Sequence, residues 1–490
     1  MKGRENLNLL SNKLSENIEI LDEYFKDAAD YTKIPVDVDG LEAVFLSLEG
    51  QIDRQYMSIS ALIPLSSVKI HRKRGQELPE YISSSVLRVV DQDSADNLED
   101  LITKLMLGFG VLLVETCSQA ICFGGQGYKI RSVQNPDNEN MLRGSKEGFV
   151  EALQINMSLI RRRMRSVNMK FERYYIGKES KTPIMICYLK NRVSDEILNK
   201  IKIDINKINL KTVMASGYLT GYFNKGGIFG TVGTTERPDT VCAKLEEGRV
   251  AIMVDGTPTV LIVPFLFNEN FQSLDDYATK PFYATYIRYI KYICFFISAY
   301  LPALYVGVIV GRPGLLPDEI LSVIAIADAQ TPLSIFWEII YANLLYEIMR
   351  EAGLRAPKVF SQAVSIVGAL VVGDMAVSAG LIGAPSLVII ALSAISGYAI
   401  PKLFEQLALI RFSLIIVSGI FGIWGIIFGF MFILYNICSE ASFGVPITAP
   451  LSPFNLHLMR DVLERAPWRI LNNQRAKVQN MPGTEIGKER

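Results

Sequence analysis

Residues 361–381, SQAVSIVGALVVGDMAVSAGL, are the stretch that decides how the rest of the chain is interpreted. On an α-helix a stretch of this length reaches about 30 Å, which is the thickness of the apolar core of a bilayer. Its one charged side chain is Asp374, and an acid inside a membrane helix is by default a candidate functional residue. The sequence therefore predicts a membrane-spanning helix that carries a single carboxylate.

With about 100° per residue, this predicted helix has two different faces. One face presents the acid to a water-filled path, and its candidate pore-lining residues are Val367, Leu370, Val371, Asp374 and Ser378. The other face carries small residues at a spacing that lets helices approach closely, namely Ser365, Ala369, Gly373, Ala376 and Gly380. A structural role for the acid is the alternative, either near a helix end or paired with a cation of another subunit.

Further apolar segments predict an α-helical transmembrane bundle of four to five segments over residues 282–440. The predicted spans are residues 292–311, 361–381, 385–401 and 412–438, and the last contains Gly425 and Gly429 at GxxxG spacing. Residues 321–349 are interrupted by acids, so an amphipathic or re-entrant element is favoured there over a span.

Basic residues around the first apolar segment determine the predicted orientation. Lys280, Arg288 and Lys291 precede the segment, and only Arg312 follows it closely. The positive-inside rule then places the large N-terminal part in the cytoplasm. Four crossings, which we favour, would return the C-terminal tail to the cytoplasm, whereas a further span at residues 321–349 would place the tail outside.

Before residue 282 the pattern changes to strands that alternate with amphipathic helices, which is typical of an α/β fold. Apolar spacings of three and four predict a helix over residues 3–29, and runs such as VLLVETC at residues 111–117 predict buried strands. A polar linker around Pro136 separates two small subdomains, predicted at residues 1–135 and 144–270. Residues 441–490 are predicted as a short amphipathic tail.

Composition and motifs argue against several function classes. The chain has 50 basic and 50 acidic residues and no basic patch interleaved with aromatic residues, so no nucleic-acid partner is expected. Its 6 cysteines are scattered and only 2 histidines are present, so neither a metal site nor a disulfide framework is expected. The sequence has no nucleophile elbow, zincin helix, P-loop or paired carboxylates, and we expect neither enzyme activity nor a cofactor.

A series of short motifs occurs in the order found in one known family. They include SKTPI at 180–184, TTERPD at 234–239, LEEGRVAIMVDGTPTVLIVP at 245–264, MREAGLRAP at 349–357, VGALVVGDMAV at 367–377 and SFGVPITAPLSPF at 442–454. Over roughly residues 40–470 the chain resembles the A subunits of bacterial spore germinant receptors, the GerA family.

This resemblance implies a receptor subunit that responds to nutrients and oligomerises in the spore inner membrane to form or gate a cation-release channel. It also implies two partners, a transporter-like B subunit that holds the nutrient and a lipoprotein C subunit. Val367, Leu370 and Val371 would then form an apolar constriction, and Asp374 would favour cations. Two alternatives stay open, a non-conducting scaffold subunit and a stage V sporulation homologue that amplifies ion release.

Overall fold

Two five-stranded antiparallel sheets form the core of the N-terminal part in this computed structural model. The structure describes residues 9–70, 77–87, 89, 91–125, 127, 136, 139, 141, 144–224, 226–357, 366, 368, 371–456, 458–471 and 477–484. Both sheets carry helices, so the predicted α/β class of the N-terminal part is confirmed. The predicted boundary at residue 135 lies outside the described residues, and the two subdomain limits stay predictions.

The first sheet has the strand order β1-β2-β4-β5-β3. Its apolar residues alternate between the two faces, as the pleat of a strand requires: Leu46 faces α1 and α2, whereas Phe45 faces a set of short helical turns. The elements are α1 Leu14–Tyr24, β1 Tyr31–Val38, β2 Leu41–Leu48, the turns Arg54–Met57, Ser58–Leu62, Ile63–Ser67, Leu78–Tyr81 and Ile82–Val86, β3 Gln92–Ala95, α2 Leu98–Met106, β4 Phe109–Val114 and β5 Ala120–Gly124. The described part of the predicted 3–29 helix is thus shorter than expected.

The second sheet has the order β6-β7-β9-β10-β8 and is covered by helices on both faces. α3 and α6 pack on one face through Ile160 and Leu245, and α4 and α5 pack on the other through Ile201 and Leu219. The elements are α3 Leu153–Arg163, β6 Met169–Ile176, β7 Thr182–Leu189, α4 Asp195–Asn206, α5 Ser216–Phe223, β8 Gly233–Thr235, α6 Pro238–Glu246, β9 Val250–Val254 and β10 Val260–Val263.

The C-terminal part is a helical bundle. Pro281–Gly311 and Pro401–Phe421 are long and apolar enough to cross a membrane, and Ala384–Tyr398 and Ile423–Ser439 are shorter apolar helices. The main helices are α7 Pro281–Gly311, α8 Asp318–Asp328, α9 Ile335–Arg355, α10 Ala384–Tyr398, α11 Phe404–Phe421 and α12 Ile423–Ser439.

The long helices of the bundle run in two opposite directions. α7 begins next to the α/β part, where Phe295 packs with Phe229 and Phe271, and its last residue, Gly311, lies against Gly422 at the opposite end. We call these two ends of the bundle proximal and distal. α11 runs parallel to α7, whereas α10 and α12 run from the distal end back to the proximal end.

The single span predicted over residues 412–438 is wrong, because the chain reverses at Gly422. This glycine has φ +61, a left-handed conformation that costs other residues free energy, and α11 and α12 form an antiparallel hairpin around it. A Cβ at Gly425 would overlap the backbone of Val417, and one at Gly429 would overlap Leu414. The GxxxG glycines therefore allow close contact within one chain.

The structure also differs from the amphipathic or re-entrant element predicted at residues 321–349. α8 lies at the distal end, where Ala327 contacts the chain at Gly383, and α9 then runs the length of the bundle. Near the start of α9, Glu338 contacts Ser386 of α10, and near its end Arg350 stacks on Phe404 at the proximal end. Two of the acids that interrupt the apolar pattern, Glu338 and Glu347, face partners inside the bundle, which periodicity alone does not reveal.

The described part of the C-terminal tail, predicted as a short amphipathic segment, returns to the α/β part. Val445 and Val478 are buried in the core of the second sheet, the Ser442 hydroxyl donates to the Thr231 carbonyl, and the Phe267 amide donates to the Ile447 carbonyl at 2.8 Å. The buried apolar side chains of the tail thus pack in the core of the second sheet. The tail and the α/β part lie at the same end of the bundle.

Candidate functional site

Asp374 lies on the outer surface of the bundle, between its proximal and distal ends. Gly368 lies beside Met349 near the end of α9, because a Cβ added to this glycine would be 2.9 Å from the Met349 sulfur. Gly380 lies beside Gln330, just before α9 begins, because a Cβ added there would be 3.1 Å from the Gln330 carbonyl oxygen. Between these points the Asp374 side chain is exposed. No other part of the chain that the structure describes forms an ion pair with it.

The backbone around Asp374 is not a continuous α-helix. Residues Val371–Met375 form a π-helical turn, Ala376–Ser378 form a short α-helical turn, and the chain then turns at Gly380, which has φ +67. A π turn contains an extra residue, so faces drawn at 100° per residue do not persist through it. Such turns are frequent at functional sites.

The predicted faces can be compared with the structure only in part. Ser378 is exposed like Asp374, and Ala376 packs inward against the apolar cluster at the distal end. A Cβ at Gly373 would have no atom of the described residues within 4 Å, so within that part of the chain no close helix contact uses this glycine. Outside the described residues, or with undescribed side chains, lie the predicted Ser365, Val367, Ala369, Leu370 and Val371.

A buried ion cluster occupies the proximal half of the bundle. Glu347 of α9 pairs with Arg411 of α11, whose side chain is 3% exposed, and with Arg350 at 2.9 Å. Arg411 also donates to the Ser393 hydroxyl of α10 at 3.3 Å and lies over the ring of Tyr346. The cluster thus connects three helices through a low-dielectric interior, where opposite charges require each other.

A second acid is buried near the distal end. Glu338 is 1% exposed, and its Oε2 atom accepts a hydrogen bond of 2.7 Å from the Ser386 hydroxyl. Ser386 is the third residue of α10, so the carboxylate lies at the N-terminus of that helix. The bundle therefore contains one fully buried glutamate, Glu338, and one partly buried glutamate, Glu347, which pairs with the buried Arg411.

One protein family matches this chain over most of its length. The profile of the family described as Bacillus/Clostridium GerA spore germination protein matches residues 19–477. The chain belongs to the GerA family. This family match spans the α/β part, the helical bundle and most of the tail.

Relatives of this GerA-family chain cover nearly its full length. It is 34% identical to spore germination protein KA of Bacillus subtilis (strain 168) over 94% of the chain and 86% of the relative. It is 30% identical to spore germination protein GerLA of Bacillus cereus over 80% of both. Stage V sporulation protein AF of Bacillus subtilis is 27% identical, with 85% of each chain covered.

One solved structure is also similar to this GerA-family chain. It is the crystal structure of the N-terminal domain of the A subunit of the Bacillus megaterium spore germinant receptor GerK3. The identity is 27%, the match covers 53% of this chain and 97% of the solved one, and the TM-score is 0.43.

At the proximal end of the bundle, an ion cluster joins α7 to the tail of the GerA-family chain. Arg288, fully buried, contacts Asp276 at 2.9 Å and Asp461 at 3.0 Å, and the Tyr277 hydroxyl donates to Asp461 at 2.8 Å. Burial raises the pKa of Asp461 even though Arg288 and Tyr277 oppose the shift. The α/β part, the first bundle helix and the tail are thus mechanically connected.

Sequence reasoning missed the buried ion clusters of this GerA-family chain. Arg411 stands in the apolar run LALIRFSLII at residues 407–416, and Glu338 and Glu347 stand in a mostly apolar helix. A charged residue inside an apolar run was the available signal, as it was for Asp374. The pairing of Glu347 with Arg411 bridges 64 residues, and no local pattern encodes it.

Proposed function

We propose that this protein is the A subunit of a nutrient-responsive spore germination receptor, and that it oligomerises in the spore inner membrane to form or gate a cation-release channel. It acts without enzymatic chemistry. A transporter-like B subunit that holds the nutrient and a lipoprotein C subunit are its partners. Family membership supports the receptor assignment, and the exposed carboxylate of Asp374 carries the channel assignment.

In the proposed topology the bundle crosses the membrane and the α/β part is cytoplasmic. Helices α7, α9, α10, α11 and α12, together with the segment that ends at Gly380, alternate in direction, which gives an even number of crossings. An even number agrees with the position of the tail beside the α/β part. Lys280 and Lys291 lie near the proximal end, and this asymmetry supports a cytoplasmic proximal side.

Asp374 supports a path between subunits. On an isolated bundle its side chain would face lipid, at a cost of about 2.5–3.5 kcal/mol near the centre of a bilayer. A water-filled lumen formed by several copies removes this cost, and a ring of carboxylates there attracts cations. Exposed apolar side chains nearby, such as Met375, suit the contact between copies.

The direct test is ion flux through the purified full-length protein in liposomes. We expect cation conductance, a higher basal leak in Val371→Ala because the apolar constriction widens, and weaker cation selectivity in Asp374→Asn. Asp318→Asn is the control, because this acid is exposed on α8 at the distal end. Unchanged conductance and germination in both Val371→Ala and Asp374→Asn would overturn the pore assignment.

The same preparation distinguishes the scaffold alternative. Stable oligomers without conductance, either alone or with the B and C subunits, would indicate a protein that clusters receptors while ions pass elsewhere. Spores that lack this protein, tested over a panel of nutrients, would separate a receptor from a stage V homologue. Loss of the response to one class of nutrient indicates a receptor, and slower ion release with every nutrient indicates the homologue.

A further inference from the structure

The carboxylate of Glu338 has one oxygen without a partner in the interior of the bundle. Oε2 accepts the hydrogen bond from Ser386, whereas Oε1 has no hydrogen-bond partner in the part of the chain that the structure describes. No Lys, Arg or His nitrogen of the described residues lies within 4.0 Å of this carboxylate. Glu338 is thus a buried acid with incomplete compensation.

Glu347, nine residues further along the same helix, has counter-charges close to its carboxylate. Two guanidinium groups, from Arg350 and Arg411, surround it. An ionised carboxylate without such a partner is costly in an apolar interior, and in practice it takes up a proton. Unlike Glu347, Glu338 thus has no counter-charge among the described residues.

Three other elements of the bundle lie around Glu338, namely the N-terminus of α10, the end of α8 and α7. The N-terminus of α10 attracts a negative charge, and a Cβ at Gly383, just before α10, would lie 3.2 Å from Oε2. Asp328 is the last residue of α8, next to Ala327, which lies beside Gly383, and Tyr305 of α7 belongs to the same apolar cluster as Ile339. The part of α11 between Arg411 and the distal end has no ionisable side chain, and the one ionisable side chain in residues 371–383 is Asp374.

One free carboxylate oxygen is enough to bind a proton, whereas a metal ion needs several ligands. Sodium, potassium and divalent ions take several oxygen ligands. Within the described ranges, no three acidic, histidine or cysteine side chains come together as a metal-binding group. The geometry at Glu338 therefore selects the proton as its ligand.

We propose that Glu338 is a proton-binding site at the distal end of the bundle, and that its occupancy controls how α10 is held against α9. This rests on the proposed membrane topology, in which the distal end faces away from the cytoplasm. Oε1 forms an O–H bond with a proton that water delivers, and the carboxylate loses its negative charge. The hydrogen bond from Ser386 persists, but the attraction between the charge and the N-terminus of α10 is lost.

This site is placed to influence the segment that contains Asp374. Only residues 379–383 separate the helical turn that follows Asp374 from the N-terminus of α10. Because Gly383 lies against Glu338, weaker attraction at α10 loosens the distal anchor of this segment. Acidification on the distal side is expected to shift the equilibrium of the proposed ion path.

Infrared spectroscopy of the full-length protein in lipid vesicles tests proton occupancy without relying on conductance. A protonated carboxyl group has a C=O stretching band that an ionised group lacks. Other carboxyl groups also take up protons at acid pH, so the signal of Glu338 is the difference between the spectra of the wild type and of Glu338→Gln. We expect this difference spectrum to contain a carboxyl band that titrates with pH, and the same band to be retained in Asp328→Asn. A difference spectrum without a titrating carboxyl band would overturn the proposal even if the protein conducts.

Ion flux then tests the consequence of proton binding. Glutamine has the shape of a protonated glutamate, so Glu338→Gln should fold and should resemble the wild type at acid pH. We expect the wild-type response to change by at most about tenfold per pH unit, the limit for one proton, and the response of Glu338→Gln to be independent of pH. If Glu338→Gln misfolds, Glu338→Asp keeps the acid and should keep a titrating response. A wild-type pH profile in a folded Glu338→Gln contradicts the control of α10.

Discussion

The α/β part and the helical bundle place apolar and polar side chains in opposite ways. In the α/β part, Phe45, Leu46 and Phe171 are buried between sheet and helices. In the bundle, Phe428 and Met431 are about 61% exposed, whereas Arg411 and Glu338 are inside. The difference is the one that the proposed topology requires, with water around the α/β part and hydrocarbon around the bundle.

Each part nevertheless contains a buried ion pair that joins separate elements. In the α/β part, Asp30, in the loop before β1, pairs with Arg161 at the end of α3 at 2.6 Å, and both side chains are 2% exposed. In the bundle, Arg411 and Glu347 play the equivalent role between α11 and α9. A buried pair in either part specifies which surfaces meet, since each charge is costly without its partner.

The largest expected effect tests the buried pair of the bundle. Glu347→Gln leaves Arg411 and Arg350 without a counter-charge, and removing one partner of such a pair costs about 3–5 kcal/mol. We expect a clearly lower unfolding temperature for the full-length protein in lipid nanodiscs. The matched control is Glu351→Gln on the same helix, whose pair with Arg355 is exposed to solvent and should not matter. Equal stability of both variants would refute the role of the cluster.

A smaller effect tests the close packing of the hairpin formed by α11 and α12. Gly425→Val would push a side chain into the backbone of Val417, and overpacking of this kind costs about 1–3 kcal/mol. Gly373→Ala should be tolerated because no atom of the described residues occupies the space around that glycine. Thermal unfolding in nanodiscs measures both. Destabilisation by Gly373→Ala only when the protein is oligomeric would show that this glycine packs against a second copy.

A last effect, confined to alkaline pH, is a pH dependence in the α/β part. Burial lowers the pKa of Lys170 on β6 to about 8, although its ammonium group donates to the Tyr24 carbonyl at 2.7 Å. Between about 8 and the ordinary value of 10.5, the unfolded chain holds a proton that the folded chain has lost. The Lys170 contribution to stability therefore rises with pH through this window.

Hydrogen exchange of the β6 amides, corrected for the intrinsic exchange rate at each pH, measures this contribution. The rise in protection between pH 8 and 10 should disappear in Lys170→Met. It should persist in Lys200→Met, because Lys200 is exposed on α4. A rise that is equal in the wild type and in Lys170→Met would exclude Lys170 as its source.

Several features of the fold could be predicted because they depend on local patterns. Alternating apolar residues such as Phe45 and Leu46 indicate a strand covered on both faces. An uncharged run of about 20 residues, as in α7, indicates a helix that can cross a membrane. The candidate acid Asp374 could be found in the same way, because a charge in an apolar run is conspicuous without any structure.

The errors have physical reasons that lie outside any short window. At Gly422, an apolar run is divided into two helices by one left-handed residue, and hydropathy does not detect the change of direction. The acids in the sequence of α9 favoured a surface position for that segment, but the counter-charge of Glu347 is Arg411, which lies 64 residues further along the chain. The π turn around Asp374 is likewise not visible in the hydropathy pattern, and it adds a residue that a phase of 100° per residue does not include.

By itself, the sequence determined the α/β class of the first part, the helical nature of the second, and the family to which the chain belongs. These follow from periodicity, hydropathy and ordered motifs, which are properties of neighbouring residues. Only the tertiary structure decided which helices run antiparallel, that the tail returns to the α/β core, and that Glu347 is paired while Glu338 is not. Those properties depend on contacts between distant residues, whose free energy exists only when the chain has folded.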